Sequence, residues 1–90
     1  MPKYKVSIEI VDILGKGECP IGHKIGEKFE YPEDRGKICP SAFNSIYPNI
    51  RVMESGGSYP WFDEPNAHSF CCSDYERPVV LKISRREVSE

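Results

Sequence analysis

The residues able to do metal or thiol chemistry fall in three short stretches. The first is Cys19-Pro20-Ile21-Gly22-His23-Lys24-Ile25-Gly26, with a histidine four positions after a cysteine. The second is Cys39-Pro40, and the third is His68 with Cys71-Cys72. Thiolate sulfur and imidazole nitrogen are the usual protein ligands of zinc and common ligands of iron, and a tetrahedral site takes four such donors. Cys19, His23, Cys39 and Cys72 make the simplest set, three sulfurs and one nitrogen, and are the expected metal ligands. Zinc or iron is the expected ion.

The spacing limits that expectation. An ordinary zinc knuckle pairs its cysteines as C-x2-4-C, and no such pair is present. An iron–sulfur cluster is less favoured, because the spacing matches neither common ferredoxin pattern. Cys-Pro also occurs as an axial heme ligand, but a dipeptide is too short to specify one. Adjacent Cys71 and Cys72 on a strand would point to opposite faces, so one of them joins the site and Cys71 is read as core packing. His68 is read first as a hydrogen-bonded structural group.

The rival chemistry is metal-free. Pro40 suits the first position of a helix, which sets Cys39 at the N-cap, where the helix dipole and free N–H groups lower a thiol's pKa. Redox or sulfur-transfer work would then use Cys39 as the reactive thiolate, with His23 as its base. No G-x-S-x-G elbow, Walker A loop or H-E-x-x-H motif is present, so conventional hydrolase and nucleotide chemistry have no support. Enzymatic activity stays undecided. A third role is a protein-interaction module built on Tyr59, Trp61 and Phe62, although folding back over the core is the commoner fate of such aromatics.

Composition narrows the classes further. Ninety residues give one domain, 1–90, with one small core. The 12 basic and 14 acidic residues are interspersed and leave a net charge of -2, which disfavours nucleic-acid binding for want of a basic face. No stretch nears the ~18 apolar residues that span a bilayer, so no membrane insertion is expected. The start of the sequence has no apolar export segment, and a cytoplasmic setting is expected. There, four cysteines point to metal or thiol chemistry rather than to disulfides.

The elements that must position these residues read from periodicity. Tyr4, Val6, Ile8 and Ile10 alternate with Lys3, Lys5, Ser7 and Glu9 as a half-buried strand, and the phase slips at Ile10-Val11, as at a bulge. Cys19 to Gly26 is a compact loop, since its proline and two glycines suit neither helix nor strand. Residues 27–31 resume alternation with Phe29 and Tyr31 inward. Phe43, Ile46, Tyr47 and Ile50 follow Pro40 at helical spacing, and Pro48 is expected to end or kink that helix after about two turns. Residues 50–54 then read as a strand, 68–72 as another, and Val79, Leu81 and Ile83 as the last. The expected fold is α+β: a small antiparallel sheet or open barrel of four to five strands carrying one short helix.

Cys-Pro-x-Gly-His-Lys-x-Gly at 19–26, Cys-Pro-Ser-Ala-Phe-x-Ser-x-Tyr-Pro at 39–48, Gly-Gly-x-x-Pro-Trp at 56–61 and Cys-x-Asp with Pro-Val-Val at 72–80 follow one another in that order. The chain in this respect resembles a family of small uncharacterised proteins of anaerobic bacteria and archaea. The resemblance spans nearly the whole chain. It implies a cytoplasmic single domain and emphasises Cys19, Gly22, His23, Cys39, Pro40, Trp61 and Cys72, with Cys71 peripheral. It implies no activity.

Overall fold

A computed structural model describes residues 3–88. Strand β1 (Lys3–Ile13) and β2 (Lys28–Tyr31) are followed by a 3-10 turn (Arg35–Lys37). The helix α1 (Pro40–Glu54), β3 (Ala67–Cys71) and β4 (Val79–Val88) complete the order. The strands form one antiparallel sheet in the order β2-β1-β4-β3, which is open rather than closed into a barrel. β1 and β4 are the long central pair, and β2 and β3 are the edges.

Register explains the core. Phe29 faces Ile8, Ile8 faces Ile83, and Ile83 faces His68, so one row crosses all four strands. A second row runs Ile10, Leu81, Phe70. Because side chains alternate, Ser7, Glu9, Glu30 and Lys82 fall on the opposite face, where Ser7 Oγ donates to Glu30 Oε2 at 2.7 Å. A polar outer face leaves only one side of the sheet to bury, and one helix suffices to cover it. The phase slip is a true bulge. Ile10 pairs with Leu81 and Asp12 with Val80, leaving Val11 without an opposite number and 37% exposed.

The helix corrects two expectations. It continues through Pro48 to Glu54, so residues 50–54 are helical and, among the described residues, the sheet has four strands. Ala42, Ile46, Ile50 and Met53 are its buried residues, and this apolar stripe packs on the sheet. Full burial of each large side chain contributes about 1.5–3 kcal/mol, of the same order as the roughly 3 kcal/mol that an interior proline costs. Pro48 itself lies on the exposed side, where the carbonyl it leaves unpaired can meet water. Among the described residues, no helix is long and apolar enough to cross a membrane.

Two excursions from the sheet matter for the site. After β1, Leu14 N–H donates to the Pro78 carbonyl at 2.8 Å and Lys16 N–H to that of Glu76 at 3.0 Å. Gly15 has φ +60°, and a Cβ there would lie 2.1 Å from the Glu76 oxygen, so only glycine fits. The chain then runs through the 19–26 loop and returns to β1, with Gly26 N–H donating to the Ile10 carbonyl at 2.8 Å.

Candidate thiol and metal site

Three segments distant in sequence bring Cys19, Cys39 and Cys72 to one cavity. It has a volume of about 180 Å³ and is also lined by His23, Ala42, Val79, Asp74 and Arg77. All three cysteines are half-buried and unbridged. Each is held by a different local device.

Cys19 opens a tight turn. Gly22 N–H donates to the Cys19 carbonyl at 3.0 Å, and Gly22 closes the turn at φ +101°. Pro20 fixes its first corner. Cys39 is the N-cap of α1, its carbonyl accepting from Phe43 N–H at 2.8 Å while its side chain makes no capping bond. A serine or aspartate at this position would spend its side chain on the helix, whereas the thiol is left to the cavity. Cys72 follows β3. Its N–H donates to the Val79 carbonyl at 3.0 Å, and its Sγ accepts the Val79 N–H at 3.2 Å.

His23 is only 8% exposed and lies edge-on to Phe29, with ring centroids 5.8 Å apart. Its Nε2 accepts the backbone N–H of Cys39 at 2.9 Å, and its Nδ1 lies 2.9 Å from Glu27 Oε1. Since Nε2 must offer a lone pair, a neutral ring carries its proton on Nδ1 and donates it to the carboxylate. Glu27 also accepts Lys24 N–H at 2.9 Å. The Lys24 amide first, and His23 second, hold the Glu27 carboxyl below its usual range, because both stabilise its charged form. His23 thus ties the 19–26 loop to the start of α1, with both ring nitrogens engaged.

Asp74 and Arg77 close the cavity beside Cys72. Burial on its own would raise the Asp74 carboxyl. The N–H groups of Glu76 and Arg77, at 3.0 Å and 3.3 Å, and the Arg77 guanidinium at 3.1 Å outweigh it and hold the group low. Neither residue is among the candidates drawn from the sequence. Among the described residues, no three His, Cys, Asp or Glu side chains stand as placed in a group that could hold a metal ion. Coordination therefore requires the thiol side chains to turn toward one another.

Cys71 and His68 do not line this cavity. Cys71 is exposed, contrary to its reading as core packing, because the alternation of β3 turns His68 and Phe70 inward. His68 is a core residue, 2% exposed, with Phe62 stacked on it at 4.2 Å between centroids. Tyr59 lies 6.0 Å away, and Ser58 Oγ is 3.3 Å from its Nε2, while its Nδ1 has no hydrogen-bond partner among the described residues. Burial first, and the nearby Arg85 charge second, push its pKa below 6.5, against a smaller opposing pull from Glu64. Both leading causes disfavour the charged ring. Tyr59 and Phe62 therefore cover the core, whereas Trp61 stacks on Tyr59 at 5.0 Å and stays 71% exposed.

Comparison with known proteins adds no relative: the chain matches no protein-family model, no curated protein and no solved structure.

Proposed function

We propose that this protein is a small metal-binding domain in which Cys19, Cys39 and Cys72, as thiolates, hold one zinc or iron ion. The observation that carries the reading is the meeting of three unbridged cysteines from three separate segments at one cavity. All three also pack against the edge of the core, but their convergence from three separate segments on one cavity favours a shared ligand. The N–H contact to Cys72 Sγ and the helix N-terminus at Cys39 set a hydrogen-bond donor and the positive end of the helix dipole beside two of the three sulfurs. His23 supports the site from behind Cys39. The reading takes the protein as cytoplasmic, where thiols stay reduced.

Anaerobic purification followed by elemental analysis tests it. About one equivalent of metal per chain is expected in the wild type and in Cys71→Ser, and a small fraction of that in Cys19→Ser, Cys39→Ser and Cys72→Ser. Equal metal content in all five proteins overturns it.

A second reading has its own observation, the uncapped thiol of Cys39 at the N-terminus of a 15-residue helix. In that case Cys39 serves metal-free redox or sulfur transfer, and it alkylates faster than Cys71 despite being less exposed. Alkylation in order of exposure removes this reading. A docking role for the 59–62 aromatics has less to stand on, since Tyr59 and Phe62 are committed to His68 and Trp61 alone is left exposed.

A further inference from the structure

We infer that the cavity is an exchange site for small uncharged disulfides, with Cys39 as the attacking sulfur and Cys19 as the sulfur that resolves the mixed disulfide. The inference deepens the metal-free reading of Cys39 and rests on it. Cys39 and Cys19 line the same cavity and carry no bridge. Cys39 starts α1 with its side chain free of any capping bond, and exchange needs an attacking sulfur with access of this kind.

The choice of resolving sulfur follows from what holds each cysteine. Cys72 is bound to β4 twice, its N–H on the Val79 carbonyl at 3.0 Å and its Sγ on the Val79 N–H at 3.2 Å. Cys19 sits in a turn joined to the helix start. Gly22 N–H donates to the Cys19 carbonyl at 3.0 Å, and the next residue, His23, accepts the Cys39 N–H at 2.9 Å. Pro20, Ile21 and Gly22 are exposed, so the turn can close on Cys39 without displacing buried side chains. Bridge formation requires Cα atoms within about 7 Å, and the inference requires this closing movement.

The chemistry balances with the disulfide RSSR as the only oxidant. The Cys39 thiolate attacks one of its sulfurs, which forms Cys39–S–S–R and releases RS⁻. The Cys19 thiolate then attacks Cys39 Sγ, the bond to the R sulfur breaks, and a second RS⁻ leaves. Two protein thiols give up two electrons to the disulfide, and their two protons end on the two RSH products. His23 is not the base, since its Nε2 is occupied by the Cys39 N–H and its Nδ1 faces Glu27. Each thiol proton therefore passes through solvent.

The walls set the substrate class. Pro20, Ile21, Ala42 and Val79 are apolar, and the Asp74 carboxylate already faces the Arg77 guanidinium at 3.1 Å. No unbalanced charge is left to select a charged ligand. The volume of about 180 Å³ compares with roughly 30 Å³ per water in the liquid, room for a substituent of a few heavy atoms. The tripeptide on each sulfur of oxidised glutathione exceeds it.

The test treats the reduced full chain, in the presence of a chelator, with bis(2-hydroxyethyl) disulfide, then blocks free thiols and maps the products by mass spectrometry. Wild type and Cys72→Ser should each lose two hydrogens and join the tryptic peptides 17–24 and 38–51. Cys19→Ser should stop at the mixed disulfide on Cys39, and Cys39→Ser should form neither product. With rates at Cys39 scaled to those at exposed Cys71, oxidised glutathione should react about tenfold more slowly or worse, for want of access. A wild type that stops at the mixed disulfide, or that joins Cys39 to Cys72, overturns the inference and leaves Cys39 standing as a reactive thiol. Equal scaled rates for the two disulfides overturn the substrate class. Reaction at Cys39 no faster than at Cys71 removes the inference and the metal-free reading together.

Discussion

The backbone N–H of Cys39 donates to Nε2 of His23 across 2.9 Å, joining two residues that are 16 apart in the chain. The bond satisfies the N–H of the N-cap residue itself, the part a glutamate at the third helical position plays in a capping box, except that the acceptor comes from another loop. It fixes the ring, and the ring's other nitrogen is fixed by Glu27 at 2.9 Å.

Removing that acceptor should loosen the helix start without removing a metal ligand. His23→Ala is expected to lower stability by about 1–3 kcal/mol, the cost of leaving a part-buried amide unpaired, as read by urea unfolding. His23→Gln, which restores an acceptor, should recover part of it. Metal content should stay near that of the wild type in His23→Gln while Cys39→Ser loses it. If His23→Gln loses metal as fully as Cys39→Ser, then His23 is a ligand.

His68 makes stability depend on pH. Its pKa is lowered by folding, so the unfolded chain binds the proton more readily and acid favours unfolding. Stability should therefore fall as pH drops below 6.5, the unfolded value, and level off below the folded value. His68→Phe should flatten that segment of the profile. A wild-type denaturation midpoint that is constant through this window, or an unchanged profile in His68→Phe, contradicts the assignment.

Pro48 is a cost that the packing of α1 offsets. Pro48→Ala restores the interior N–H and should stabilise the protein by about 2 kcal/mol, after allowing for the greater freedom of the unfolded chain. The melting temperature should rise by roughly 8 °C or more. An unchanged or lower melting temperature would mean that the proline ring makes contacts of its own.

Much of the fold was legible in local pattern. Alternation at Tyr4–Ile10 and at Val79–Ile83, the slip at Ile10-Val11, and Pro40 as a helix start all describe the structure, because they depend on periodicity and on the backbone limits of proline. What local pattern misjudged was Pro48. Its penalty is visible in the sequence, but the compensating burial of Ile46, Ile50 and Met53 exists only once the sheet is beneath them.

The candidate site divides in the same way. Sequence determined which residue types were on offer, the three Cys and His stretches, and the turn chemistry that shapes Cys19 to Gly22. Only the tertiary structure decided their roles. It placed Cys19, Cys39 and Cys72 at one cavity, put His23 on the Cys39 amide, buried His68 in the row of Ile8 and Ile83, and brought Asp74 and Arg77 to the rim. The physical reason is that a ligand set or a hydrogen-bond partner is a relation between segments distant in sequence. Their distances are set by the register of β1 on β4 and by the docking of α1 on the sheet, which no local pattern encodes.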